Sequence, residues 1–237
     1  MAYPVEECPA FGFCKFSHNV CKSTKKNRIF AEKFSEISMA TNQMSIWKTL
    51  GASNHTEKPR QIDDYYATDP KAAELLLDIE AFEGPIWEPA CGECHLANVF
   101  ESRGYQVRKS DIINRSGRDD VEVADFLLCQ EKGLRCNIIT NPPYKFAQQF
   151  VEKSMDIIED GFKVAMFLKL TFMEGKGRKA MFEKFPPKTI WVSSSRLLCA
   201  KNGRFQEMID GGGSAVAYAW YVWQKGYKGD SIVKWFN

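Results

Sequence analysis

The sequence predicts an α/β fold built on a doubly wound, mostly parallel sheet of seven strands, with an irregular N-terminal appendage. Three observations carry that prediction. From Asp69 onward, short apolar runs alternate with segments of helical period, the pattern of strands joined by crossover helices. Four successive strand candidates end in polar or acidic residues, as strands do when their carboxyl ends line a ligand crevice. Residues 1–60, by contrast, are rich in Lys, Ser, Asn and Cys, and only Asn27 to Ile37 has helical character. The two parts are therefore an appendage over 1–60, partly disordered or a small cysteine-containing arm, and a domain over 61–237.

Taken in order, DPKAAELLLDIEAF has apolar residues at helical spacing, with Asp69 as N-cap and Pro70 in the first turn. GPIWEPACGECHLANVFESRG reads as strand, turn and helix, and YQVRKSDI as the second strand. VEVADFLL is the third, CNIIT the fourth, and FAQQFVEKSMDIIED the helix after it. FKVAMFLKL is a long apolar fifth strand, TIWVSSS a sixth and SAVAYAWYVW a seventh, whose aromatic run reads as core. Gly211, Gly212 and Gly213 mark a turn before that last strand.

Composition bounds the function classes. A 237-residue chain with 44% hydrophobic and 26% charged residues is long enough for a real core. No apolar run approaches the ~20 residues of a membrane span, which excludes a membrane protein. The N-terminus lacks the basic-then-apolar order of a secretory signal, so a cytoplasmic location with reduced cysteines is expected. Met39 and Met44 are alternative start positions for a shorter protein. A net charge of +2 does not announce nucleic-acid binding, although Lys176, Arg178, Lys179, Lys184 and Lys188 form a local basic cluster. No metal site is expected in the domain. In the arm, Cys8, Cys14, His18 and Cys21 have the ligand types for zinc, but their spacings match no paired knuckle, and reduced cysteines in a floppy arm are the plainer reading.

The strand ends carry the chemistry. Glu88, Pro89, Ala90, Cys91 and Gly92 follow the first strand, and their small residues let backbone approach a ligand at a helix N-terminus. Asp111 ends the second strand, where a carboxylate accepts from ribose hydroxyls. Asp125, which equally reads as a helix cap, is placed to accept from a purine amine, with Phe126 against the ring. Asn141, Pro142, Pro143 and Tyr144 end the fourth. Two prolines fix the backbone so that the Asn141 side chain and the Pro142 carbonyl form a rigid acceptor pair. Such a pair holds an NH2 group in the geometry where its lone pair can attack, and Tyr144 offers a stacking face. ACGEC lacks both the phosphate-loop and the dinucleotide fingerprints, and Cys91 with Cys94 lacks the other residues of a redox or zinc site. His95, on the following helix, reads as structural.

EPACG, Asp111, ADF and NPPY, in that order and at strand ends, resemble the class I S-adenosylmethionine-dependent methyltransferases, specifically the DNA adenine-N6 type. The likeness covers about Tyr65 to Gly226, in the gamma arrangement, and looks most like the compact enzymes of phages and prophages. The resemblance implies S-adenosylmethionine as cofactor and double-stranded DNA as partner, with a methyl group transferred to the adenine N6 amine. It implies that Thr68, in YYATDP, helps close over the methionine carboxylate, that Glu88 to Gly92 form the cofactor loop, and that Asp111, Asp125 and Phe126 contact ribose and adenine. It implies Asn141 to Tyr144 as the catalytic tetrapeptide. Phe172 and Phe205 are candidates for shaping the target pocket, and Arg178 and Arg204 for phosphate contacts.

Two departures stand out. Cys94 replaces a second glycine of the family's loop, and weaker cofactor binding is expected from its side chain. No long insert follows the catalytic strands, so specificity falls to the loops 173–188 and 196–213, to the arm, or to a partner such as a restriction or phage protein. Two other readings stay open: a methyltransferase acting on an RNA amine or a protein glutamine, and a binding module in which the fold no longer turns over.

Overall fold

The computed structural model describes residues 65–201, 203–211 and 216–237. The arm, its zinc candidates Cys8, Cys14, His18 and Cys21, the alternative starts Met39 and Met44, and Gly212 and Gly213 lie outside the described residues.

The chain enters through a short strand β1 (Tyr66–Thr68) and the helix α1 (Pro70–Ile79), whose Asp69 cap accepts from the Lys71 amide at 2.9 Å. Then follow β2 (Ile86–Glu88), α2 (His95–Ser102), β3 (Val107–Asp111), β4 (Val121–Val123), β5 (Asn137–Thr140), α3 (Ala147–Ile157), β6 (Lys163–Lys169), α4 (Lys176–Lys184), β7 (Thr189–Ser193), β8 (Cys199–Lys201), α5 (Phe205–Asp210), β9 (Tyr218–Gln224) and β10 (Ile232–Phe236). The main sheet has eight strands in the order β10-β7-β9-β6-β5-β2-β3-β4. All neighbours run parallel except β9, which is antiparallel to both β6 and β7. From β2 the chain winds outward to β3 and β4, then returns to β5 on the other side. The strand order therefore reverses between β2 and β5, and a crevice opens beyond their carboxyl ends.

Period-two alternation places the core on both faces. Ile138, Val164, Met166 and Leu168 face α3 and α4, whereas Ile139, Ala165 and Phe167 face α1 and α2. The aromatic run of β9 splits the same way: Tyr218, Trp220 and Val222 go to one face, and Ala219, Tyr221 and Trp223 to the other. Its ring N–H groups remain satisfied, since Trp220 donates to the Ala72 carbonyl at 2.9 Å and Trp223 to the Phe185 carbonyl at 3.0 Å. Each such side chain contributes about 1.5–3 kcal/mol by burial.

The sheet differs from the expected seven strands in three places. β10 is an eighth strand, missed because four of its five residues are exposed and it carries no burial alternation. Tyr66–Thr68 is a strand, paired antiparallel with β8 in a separate two-stranded ribbon. The third strand stops at Val123, because Asp125 accepts from the Leu127 amide at 2.9 Å and turns Phe126–Leu128 into a 3-10 turn. The stretches read as loops also contain helices, α4 and α5. Among the described residues no helix is long and apolar enough to cross a membrane, and no group of three His, Cys, Asp or Glu side chains is placed to hold a metal.

Candidate active site

A cleft of about 570 Å³ opens at the carboxyl ends of β2, β3 and β5. Its walls bring together Thr68, Glu88, Pro89, Ala90, Cys91, Asp111, Asp125, Phe126 and the whole of Asn141 to Tyr144. These come from five separate segments, and the topological reversal is what gathers them.

The β2 side is a tight turn stabilised by its own neighbours. Gly92 has φ +52°, and a Cβ there would lie 2.3 Å from the Tyr65 ring, so the ring occupies the space that the glycine leaves. The Tyr65 hydroxyl donates to Glu93 at 3.1 Å and accepts from the Glu93 amide at 3.3 Å. The Asp111 carboxylate, 6% exposed, accepts from the Gly92 amide at 2.8 Å and from Arg115 at 3.0 Å. The Cys94 amide donates back to the Cys91 carbonyl at 2.7 Å. The Cys91 amide donates to the Ser110 carbonyl at 3.1 Å, so four successive amides of the turn, from Cys91 to Cys94, are engaged within the protein. The bond to Gly92 also gives Asp111 a first role as organiser of the loop.

Cys94 itself sits at φ +66°, a left-handed conformation that costs a non-glycine residue roughly 1–2 kcal/mol. Its side chain is fully buried with Cys91, Ala97 and Val121 and does not line the cleft. The expected crowding of the cofactor loop is therefore corrected: the departure from glycine is absorbed as backbone strain and the thiol points into the core. Burial, together with the neighbouring Glu88 carboxyl, pushes the Cys91 thiol far up, leaving it neutral and inert.

Glu88 is 2% exposed, with one carboxyl oxygen lacking any hydrogen-bond partner. Burial holds its carboxyl well above the usual carboxylate range. The Ala97 amide opposes the shift and the nearby Asp111 charge adds to it. Asp125 both caps its turn and lines the cleft. Phe126 packs edge-on against Trp87 at 5.2 Å.

At the β5 side, Pro143 (φ −54°) starts a 3-10 turn whose Tyr144 ring lies 5.8 Å from Tyr66, with the Lys169 ammonium 4.7 Å from its centroid. The Asn141 amide nitrogen donates to Thr68 Oγ1 at 2.8 Å and to the Tyr66 carbonyl at 3.3 Å. Its oxygen, Oδ1, is buried and has no partner.

The four substrate candidates fall elsewhere. Phe172 is buried under α4 against Phe182 and Tyr221 and lines no part of the cleft. Arg178 stacks over Phe172 and donates to the Glu174 carbonyl, so it fastens the start of α4. Arg204 pairs with Glu207 at 3.4 Å. Phe205 lies 5.7 Å from the ring of His95, which does line the cleft, and so stands beside the site without facing it. Sequence reasoning missed Tyr65, Tyr66, Cys199 and Lys169. The doubled tyrosine ahead of ATDP was the available signal for the first two; nothing local marks the others.

No family model matches the sequence. No curated protein matches it either. Among solved structures, it is similar to a protein of Listeria monocytogenes described provisionally as a class I S-adenosylmethionine-dependent methyltransferase, at 14% identity over 79% of this chain and 69% of that one (TM-score 0.49). It is also similar to a modification subunit of a provisionally described type I restriction enzyme from Vibrio vulnificus, at 12% identity over 91% and 53% (TM-score 0.48). A third likeness is to a provisionally described RNA methyltransferase of Pyrococcus horikoshii, at 14% identity over 75% and 96% (TM-score 0.47). At such distances the site has to be read from its own residues.

Proposed function

We propose that this chain is an S-adenosylmethionine-dependent methyltransferase that acts on the exocyclic N6 amine of adenine in DNA. The observation that carries the reading is the Asn141 oxygen: a buried acceptor without a partner, on a backbone fixed by Pro142 and Pro143, beside the face of Tyr144. Leaving such an atom unpaired costs about 1–3 kcal/mol, so a protein that keeps it has a use for a donor there.

The cleft fits the cofactor. Its volume lies in the range of small-molecule sites. Phe126, Ile112 and Leu128 supply apolar surface for an aromatic base, Asp125 an acceptor for its amine, and the Gly92 turn a close approach for backbone. When bound, the cofactor supplies an electrophilic methyl group. The chain's residues do the rest. Asn141 Oδ1 and the Pro142 carbonyl accept the two amine hydrogens and orient the nitrogen lone pair along the transfer direction. Tyr144 holds the base by stacking, an interaction worth roughly 1–3 kcal/mol. Burial keeps the Tyr144 phenol well above its ordinary range, so it stays neutral and acts as a surface. No strong base is needed, because the amine loses its proton after the methyl has moved. Reaching a base inside a duplex requires flipping it out, at a cost of a few kcal/mol.

The test is methyl transfer from labelled S-adenosylmethionine to unmethylated duplex DNA, with the nucleosides identified after digestion. N6-methyladenine that disappears in Asn141→Ala supports the reading. Cofactor binding without DNA labelling, but with label in RNA or protein, overturns the substrate while leaving the reaction class.

A further inference from the structure

The polarity of the Asn141 amide is set by β1 and β8, outside the main sheet. An asparagine side chain can rotate by half a turn and exchange its donor for its acceptor at almost the same shape. In the proposed reaction that exchange is fatal, because a flipped amide points N–H groups at an amine. The ribbon removes the ambiguity. A carbonyl only accepts, so the Asn141 atom 3.3 Å from the Tyr66 carbonyl has to be nitrogen. The same nitrogen donates to Thr68 Oγ1 at 2.8 Å and lies 3.8 Å from Cys199 Sγ. Thr68 and Cys199 stand directly opposite each other in the ribbon, 4% and 2% exposed. The Thr68 hydroxyl, like those of Tyr144 and Tyr218, sits beside the Cys199 sulfur. Burial pushes that thiol up to about 11, so it remains a neutral thiol near pH 7.

We infer that Thr68 is a positioning residue that locks the Asn141 amide with its oxygen toward the cleft, backed by the Tyr66 carbonyl and the Cys199 thiol. The inference rests on the proposed reaction and replaces the cofactor-carboxylate role that the sequence suggested for Thr68. It also ties the catalytic asparagine to β8, and hence to the segment that carries α5.

The decisive comparison is Thr68→Val, which keeps the shape and removes the hydroxyl, against Thr68→Ser, which keeps it. Thr68→Val is expected to lower kcat about tenfold to a hundredfold through misorientation, with the cofactor Kd by calorimetry and the KM for DNA unchanged. Thr68→Ser restores kcat. A raised cofactor Kd with kcat intact overturns the assignment and returns Thr68 to the cofactor. A second readout needs no turnover: the side-chain amide protons of Asn141 in nitrogen-15-labelled protein, identified by their loss in Asn141→Asp. They are expected to exchange slowly in the wild type and quickly in Thr68→Val. Fast exchange in the wild type alone sinks the lock, even if Thr68→Val does not fold. Slow exchange in a wild type that leaves DNA unmethylated overturns the reaction and leaves the lock standing.

Discussion

The two walls of the cleft are built on opposite plans. Beyond the end of β2 the polar groups of the turn are spent on one another, with one oxygen of Glu88 left over behind them: Asp111 holds the Gly92 amide and Arg115, and Tyr65 holds Glu93. At the end of β5, one side of Asn141 is held by the ribbon and the other is left open. The first wall is a shaped surface, for which backbone geometry matters most. The second presents a single aimed atom, for which the side chain matters most. The proposed function, in which one molecule is bound and another acted on, calls for both, and substitutions should separate them.

Removing the aimed atom has the largest expected effect. Asn141→Ala should lower kcat by about 10²–10³, the usual cost of deleting one preorganised polar partner, while cofactor affinity and urea midpoint stay close to wild type. Loss of cofactor binding in that variant would erase the distinction between the walls. Gly92→Ala should do the reverse. A methyl group 2.3 Å from the Tyr65 ring, on a φ of +52°, should cost about 2–4 kcal/mol in urea unfolding and should weaken cofactor binding measured by calorimetry.

A smaller effect separates the walls by pH. The carboxyl of Glu88 is raised well above its ordinary 4.5 by burial, so the folded chain keeps a proton that the unfolded chain has released. Its contribution to stability is complete below pH 4.5 and declines as pH rises toward the folded value. The urea midpoint of the wild type should therefore fall as pH rises above 4.5, and Glu88→Gln should flatten that fall. An unchanged slope would mean that Glu88 is ionised in the fold. The smallest effect is expected at Cys94. Its thiol is turned away from the cleft, so Cys94→Gly should leave the cofactor Kd within about twofold, a difference of about 0.4 kcal/mol.

The same division explains what the sequence reveals. The parallel core was legible because Ile138, Ile139 and the run Lys163–Lys169 are buried on both faces, and unbroken apolar runs announce that. The residues gathered at the cleft from β2 to β5 were legible because polar groups at strand ends stand out against such runs. β10 was not, because an edge strand with Trp235 at 67% exposure carries no core pattern. The ribbon was not, because Tyr66–Thr68 meets Cys199–Lys201 only through tertiary structure. Phe172 was a candidate for the target pocket from its place after β6, and Arg178 a candidate for phosphate contacts from its basic charge. Phe172 is turned under α4 and Arg178, on α4 itself, is turned back over its ring, directions that spacing does not encode.

The place of β9 has a consequence for how the chain is made. It follows β7 in sequence yet lies between β6 and β7, and it carries Trp220, Tyr221 and Trp223, all fully buried. Synthesised from the N-terminus, the chain holds β6 with an open, apolar edge until Gln224 has left the ribosome. The central sheet therefore closes between β6 and β7 only once β9 has been made. Until that insertion the exposed edge of β6 is open to pairing with the edge of another chain.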